Sequence, residues 1–458
     1  MDTSELNQMG TRPIPGLLLS MTVPVIGGML ANALYNIIDR IFIGQFIGTD
    51  ALAAATLYHP FFMTAFAVGS TVAIGSSSLV AISFGRKDNM YAQKTFNTSV
   101  NLVLFIMLAF IAVSEIFSMP ILKMSGASDA VLPMAMQYFD TVTPGLLFGS
   151  LAFILATLIR TENQPRFSLC VTVIGAVTNI IMDALFITVF KWGIFGAGLA
   201  TTLAQLFAVS FALSFYLREK SILKIEKIGH FPDIDIVKKI ISIGFSSGLV
   251  IFGFGFFTLM MNRTLHQYGG DNAIAIMGIM MGWDSILTLP MIGISDAAQP
   301  IYGYNYGAKL FNRIYQTLKC AAIGCVSYGV ISTAAVLLFA EYLVMTFTEN
   351  PIIVKDGAEV LRICYITSIF AGIGVLAASL FQALGMAKTC IFLGLCRTII
   401  IFIPLLMIFP RLWGLTGAWL CIPSVDICGA LFGTSFLYFA IKRLKKEEKS
   451  LQTTAPTN

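Results

Sequence analysis

The chain has 458 residues, of which 57% are hydrophobic and only 12% charged, with a formal net charge of +5. That charged share is about half the usual one for a soluble globular domain, so a soluble core could not absorb the apolar residues. The apolar runs are continuous over about twenty residues or more, which excludes barrel strands and predicts an all-α integral membrane protein.

Twelve transmembrane helices are predicted, at about 16–47, 52–84, 95–119, 131–160, 167–190, 195–217, 238–266, 273–304, 313–340, 356–384, 389–409 and 415–441. The first apolar stretch, Ile14 to Ile47, is too long for the apolar region of a cleavable signal peptide. It contains Pro24, which removes an intrahelical hydrogen bond and is a candidate bend. It also contains Asp39, with Asn36 one turn back on the same face. The fifth segment repeats that arrangement with Asn179 and Asp183. Residues three or four apart are helix neighbours, so each pair presents a carboxyl and an amide together. Carboxyls at membrane depth are costly and commonly serve an ion or substrate pathway.

The basic residues set the expected orientation. Arg12, Arg86, Lys87, Lys94, Arg160, Arg166, the central cluster from Arg218 to Lys239, Lys309, Arg313, Lys319, Lys388 and the tail from Lys442 to Lys449 fall on one side. That side holds 21 of the 29 Lys and Arg. The other side has Lys123, Lys191, Arg263, Lys355 and Arg411. The positive-inside rule then places both termini in the cytoplasm of a cell-membrane protein.

The chain also repeats itself. Gly48-Thr49-Asp50-Ala51-Leu52-Ala53 answers Gly270-Asp271-Asn272-Ala273-Ile274-Ala275, and Phe84-Gly85-Arg86-Lys87 answers Tyr306-Gly307-Ala308-Lys309. Trp192-Gly193-Ile194 answers Trp413-Gly414-Leu415. Six helices per copy is an even number, so the copies share one orientation and pseudo-symmetry about the membrane normal is expected. The expected organisation is a first lobe over 1–218, a linker over 219–237, a second lobe over 238–443 and a tail over 444–458. Under the repeat, Asp39 falls on Met261 and Asp183 on Leu405. The fold is duplicated; the carboxyl pair is not.

Leu34-Tyr35-Asn36-Ile37-Ile38-Asp39 with Phe42-Ile43-Gly44-Gln45 resembles the first-helix motif of the multidrug and toxic compound extrusion (MATE) family. Asn179-Ile180-Ile181-Met182-Asp183 is similar to its fifth-helix motif. Gly196-Ala197-Gly198-Leu199-Ala200-Thr201 resembles its sixth-helix start, and Gln299-Pro300-Ile301 with Tyr304-Asn305-Tyr306-Gly307-Ala308 its eighth-helix end. The resemblance spans essentially the whole chain. It implies a V-shaped pair of six-helix lobes that export amphipathic, often cationic compounds in exchange for protons or sodium ions. The acidic residues suggest a DinF-like bacterial multidrug efflux branch with its coupling site in the N-terminal lobe.

Asp183 should lie roughly 25 Å from the start of its helix, deep in the outer half of the first lobe. Low dielectric and a nearby like charge both favour a neutral carboxyl, so such a pair can take up a proton on one side and release it on the other. Asp39 and Asp183 are the expected coupling residues, with Tyr35, Asn36, Asn179 and Thr201 completing the network. Ion binding there should rearrange the first helix and expel the substrate. The bland alternative is that the aspartates only tie helices together. Substrate contacts are expected from Asp284, Gln205, Met260 and Met281. Asp296, Arg362, Arg397 and Asp426 are polar residues of the second lobe without an assigned role; ion pairing of Asp296 and Asp426 with Arg362 or Arg397 is the simpler expectation.

No cofactor, metal or nucleic-acid partner is expected; the partners are a small amphipathic molecule and the lipid bilayer, and a monomer is the default. Only three histidines are present, with no HExxH, and no GxxxxGK[ST] loop appears, which argues against an intramembrane metalloenzyme and direct ATP coupling. The eight cysteines lie in or beside apolar segments and read as small buried hydrophobes. A narrow-substrate metabolite exporter or a lipid-linked precursor flippase of related fold is the remaining alternative.

Overall fold

A computed structural model describes residues 4–454 apart from 218–220 and 227; Arg218, Lys220 and Lys227 of the basic series and the end of the tail lie outside the described residues. Among the described residues every regular element is helical. In chain order these are α1 (Ser4–Thr11), α2 (Ile14–Phe42), a π-helical turn (Ile43–Ile47), α3 (Thr49–Gly85), α4 (Asn89–Ile116), α5 (Ser118–Met124), α6 (Leu132–Val142), α7 (Gly145–Thr161) and α8 (Pro165–Asp183). A second π-helical turn (Ala184–Val189) leads to α9 (Gly193–Tyr216) and α10 (Ile234–Leu287). Then come α11 (Leu289–Gly307), α12 (Phe311–Met345), α13 (Pro351–Tyr365), α14 (Ser368–Ala383), α15 (Ala387–Leu395), a third π-helical turn (Cys396–Ile401) and α16 (Phe402–Thr454).

Eight helical runs are long and apolar enough to cross a membrane, and ten if each bent pair counts as one span. Two of the eight, Ile234–Asp284 and Ala387–Ser450, have 51 and 64 residues. At about 1.5 Å per residue each is more than twice the hydrocarbon thickness, so each has the length of two crossings. Both are broken where that requires, at Gly270 (φ 63°) and Gly414 (φ 59°). Glycine takes those torsions without the Cβ penalty other residues incur. Pro24, the candidate bend, sits inside an uninterrupted α2. The irregularity in that segment comes later, in the π-helical turn after Phe42.

The sequence repeat recurs in the backbone. Left-handed torsions occur at Lys87 and Lys309, at Asn163 and Gly385, and at Gly193 and Gly414, each pair separated by the repeat. The bend of 44° between α6 and α7 is matched by one of 46° between α13 and α14. The two bends are stitched in the same way. Thr202 donates to the Thr141 carbonyl (2.6 Å), and Thr333 donates to the Tyr365 carbonyl (3.0 Å). A hydroxyl from a neighbouring helix thus satisfies a carbonyl that the break leaves without its intrahelical donor.

The chain divides into two compact units, one of Met1–Thr11 with Val23–Gly248 and one of Arg12–Thr22 with Leu249–Asn458. The start of α2 therefore groups with the second unit, and the start of α10 with the first. In the first unit, the polar segment between α9 and α10 is strapped down. Glu162, at the end of α7, accepts from Ile222 N (2.9 Å), Leu223 N (3.4 Å) and Ser221 Oγ (3.2 Å). Further along, Lys224 N donates to Gln93 Oε1 (2.9 Å), Gly229 N donates to Asn101 Oδ1 (2.8 Å), and Phe231 stacks on Phe105. Gln93, Asn101 and Phe105 lie on one face of α4.

Burial pushes the Glu162 carboxyl up from its ordinary 4.5 to about 7, because desolvation outweighs the three donors. A folded-state value above the unfolded one means the folded protein holds the extra proton between those limits, so stability falls as pH rises from about 4.5 to 7. The pH dependence of melting over that window should be shallower in Glu162→Gln than in the wild type. Parallel curves would show that Glu162 does not titrate there. None of the eight cysteines is in a disulfide; five are buried and Cys170 is exposed.

Candidate functional site

The expected carboxyl pair is brought together inside the first unit. Asp183 ends α8 and Asp39 lies in the last turn of α2, and their carboxyls adjoin. A π-helical turn begins immediately after Asp183 and four residues after Asp39, and these two turns pack on each other. A π-helical turn inserts a residue, so it resets which side chains face inward. Asp183 is fully buried, and neither of its oxygens has a hydrogen-bond partner. Asp39 Oδ1 is also buried and unpartnered.

Asn179, one turn before Asp183, donates its amide to Thr201 Oγ1 on α9 (3.4 Å), and the Thr201 hydroxyl donates in turn to the Ala197 carbonyl (3.2 Å). That chain uses the amide nitrogen and leaves Asn179 Oδ1 buried without a donor. Both Asp183 oxygens, Asp39 Oδ1 and Asn179 Oδ1, one turn from Asp183, are thus buried acceptors without a donor from another part of the protein. Native interiors rarely leave such groups unsatisfied. Two adjoining carboxylates in a low-dielectric site require a proton or a cation to offset their repulsion.

Tyr35 lies within electrostatic reach of both carboxyls. The arrangement differs from expectation at Asn36. Its amide donates to the Asn32 carbonyl one turn back (2.8 Å) and its side chain is exposed, so the predicted carboxyl–amide pairing with Asp39 is not formed. An exposed amide finds its nearest acceptor in its own helix. Gln205, one turn beyond Thr201, packs against the backbone of α7 at Gly149.

Two phenols that sequence reasoning missed complete the site. Tyr138 lies within reach of both carboxyls, and Tyr58 meets it edge to face with ring centroids 5.6 Å apart. Tyr58 Oη is buried and unpartnered. The repeat could have found them. Carried across it, Tyr58 falls on Met280 and Tyr138 on Val360, both in the second unit's apolar core. So do the other site residues: Tyr35 on Phe257, Asp39 on Met261, Asn179 on Ile401, Asp183 on Leu405 and Thr201 on Ile422. One copy of the fold builds a polar site at positions where the other packs hydrocarbon.

The second unit carries a separate polar cluster. Tyr365, the last residue of α13, donates its hydroxyl to Asp284 Oδ1 (3.0 Å). Arg397, in the third π-helical turn, donates to Asp426 Oδ1 on α16 (2.8 Å). This is the pairing expected for Asp426. Arg362 instead pairs with Glu341 across 3.5 Å, because it sits at the end of its helix beside α12. Asp296 is half-buried in α11. Met260 and Met281 pack on the rim of the second unit's core.

Comparison with known proteins gives the same picture. The MatE family model matches residues 24–185 and 243–408. The chain is 25% identical over 454 residues to the multidrug export protein MepA of Staphylococcus aureus (strain NCTC 8325 / PS 47), covering 98% of this chain and 99% of that protein. It is 25% identical over 437 residues to the MepA of Staphylococcus saprophyticus, covering 95% and 96%. Among solved structures, a MATE crystal structure in the bent conformation matches with a TM-score of 0.92 at 22% identity, covering 98% of this chain and all of that one. An outward-facing multidrug resistance MATE transporter of the MOP superfamily matches with a TM-score of 0.89 at 22% identity, covering 96% and 98%. Two matched blocks, one in each half, fall on the two repeats of a wholly helical membrane fold, and the chain belongs to the MatE family of transporters.

Proposed function

We propose that this chain is a secondary antiporter that exports amphipathic, often cationic compounds by alternating access, driven by protons or sodium ions binding at Asp39 and Asp183. The observation that carries this reading is the adjoining pair of carboxyls, in which both Asp183 oxygens and Asp39 Oδ1 are buried acceptors, with Asn179 Oδ1 a fourth one turn away. A proton shared between the carboxyls, or a sodium ion held by the oxygens, supplies what the set lacks. Alternation follows if the loaded and unloaded pairs favour different arrangements of α2 and its π-helical turn, since an ion shifts a two-state equilibrium only through differential affinity. Tyr35 and Tyr138 then orient or shield the pair, and Thr201 fixes Asn179. The multidrug export named for the MepA relatives supports the substrate class. A place in the cell membrane with both termini in the cytoplasm agrees with the distribution of basic residues, and the proposed state is a monomer.

The test is efflux of a fluorescent cationic dye from proteoliposomes under an imposed proton gradient and, separately, a sodium gradient. Efflux under one of them identifies the driving ion. A chain that moves no dye under either, while remaining folded, does not perform this exchange.

A further inference from the structure

Asp284, Tyr365, Arg397 and Asp426 form one cluster in the second unit. Asp284 and Asp426 lie within electrostatic reach of each other, and Arg397 reaches both. Two acids face one base, so the ionised cluster carries an uncompensated negative charge. The two carboxylates are held differently. Asp284 is capped by a neutral phenol, whereas Asp426 is held by the guanidinium. The phenol is fixed from behind: Thr333 holds the Tyr365 carbonyl and also pairs with Ser368 Oγ (2.7 Å) across the helix break. Trp283, beside Asp284, donates its indole N–H to the Leu343 carbonyl (2.9 Å).

Depth and exposure indicate what the cluster faces. Arg397 is ten residues beyond the start of α15, about 15 Å along the helix. Asp284 lies about 21 Å past the break at Gly270, and Asp426 about 18 Å past that at Gly414. These depths are near mid-membrane. The Arg397 side chain is nonetheless 47% exposed, while Asp426 is 11% exposed. A half-exposed guanidinium at this depth is too costly against lipid, so its open side faces water. Arg397 is therefore a half-exposed cation at the edge of a largely buried acid.

We propose that Arg397 is a built-in competitor: its guanidinium occupies Asp426 until the cationic group of an exported compound, an ammonium or phosphonium centre, displaces it and binds between Asp426 and Asp284. The inference rests on the export of cations proposed above. Arg397 sits in a π-helical turn, a local irregularity of the kind often found at functional sites. Once displaced, it keeps its charge in water, and the second acid gives the incoming cation more negative charge than Arg397 alone neutralises.

Ethidium, a fluorescent monocation, tests this by anisotropy on the purified full chain. Removing the competitor in Arg397→Gln should tighten ethidium binding about fivefold, the scale of a half-exposed ion pair. Asp426→Asn should weaken it by a similar factor. A merely structural ion pair predicts weaker binding in both. The charge-balanced Arg397→Gln/Asp426→Asn protein controls for the unpaired charge left by each single variant, and should bind ethidium about fivefold more weakly than Arg397→Gln. Binding in folded Arg397→Gln that is unchanged or weaker overturns the inference, as does a double variant that binds as tightly as Arg397→Gln. If the wild type still exports dye under a gradient, the function proposed above survives that result. A wild type that binds no ethidium overturns the inference outright.

Discussion

Asp183→Asn is expected to abolish gradient-driven efflux while leaving the protein as stable as the wild type or more so. Both halves of this result come from one feature. Asp183 is fully buried, and neither oxygen has a donor. A buried, unsatisfied carboxylate costs stability, so exchanging it for a neutral amide of the same shape removes a penalty. The same exchange removes the charge that distinguishes loaded from unloaded states. Losing a charged ligand of this kind costs about 1.5–3 kcal/mol of ion affinity, roughly ten- to hundred-fold in binding. Asp39→Asn should share the transport defect. Its stability gain should be smaller, because Asp39 is only half-buried and has one unpartnered oxygen. If the aspartates instead tie helices together, both variants melt earlier and transport falls in proportion to folded protein. Melting temperature and efflux measured on the same preparations separate the two.

The sign of the stability change matters because the second unit shows the alternative design. Met261 and Leu405 stand at the repeat positions of Asp39 and Asp183, within a cluster that includes Phe257, Ile401 and Ile422. That packing needs no proton or cation. The first unit gives up apolar burial at the same positions, which is a trade of stability for function.

Much of this was legible in the amino-acid sequence. Apolar length and the distribution of Lys and Arg predicted a helical membrane protein, and matched tetrads such as Phe84-Gly85-Arg86-Lys87 and Tyr306-Gly307-Ala308-Lys309 exposed the repeat. The turns at Lys87 and Lys309 share a left-handed backbone, which is the physical content of that match. Asp39, Asn179 and Asp183 stood out because polar groups are rare in hydrocarbon. Tyr58 and Tyr138 did not, since tyrosine is ordinary in a membrane protein; only comparison with Met280 and Val360 marks them. The π-helical turns were also invisible. Ile43-Gly44-Gln45-Phe46-Ile47 carries a single Gly and Ala184-Leu185-Phe186-Ile187-Thr188-Val189 neither Gly nor Pro, so neither marks a wider turn by itself. Asn36 misled because helical spacing gives proximity but not a choice of acceptor, and its own backbone offered a nearer one.

The largest stability effect is expected where two backbones meet. The start of α10 crosses α3 within the first unit, with Gly244 and Gly248 four residues apart on one helix and Thr71 and Gly75 on the other. A Cβ at Gly244 would overlap the Thr71 carbonyl oxygen, and one at Gly75 would overlap that of Ile240. Ser70 and Ser247 hydrogen-bond across the same crossing (2.6 Å). Small residues at i and i+4 let helices approach this closely in lipid, where association relies on packing and interhelical hydrogen bonds. Gly244→Ala therefore has no side-chain rearrangement that relieves it; the obstacle is backbone, and the helices must separate. The expected cost is about 3 kcal/mol or more, at the upper end of overpacking effects, read as a lower melting temperature and poor recovery of monodisperse protein. Gly255→Ala, farther along the same helix, is the matched control. Nothing lies within 4 Å of the Cβ it would add, so helix propensity dominates and it should be neutral or stabilising by up to about 1 kcal/mol. Equal melting of the two variants would mean that the crossing at Gly244 does not hold α10 to the first unit.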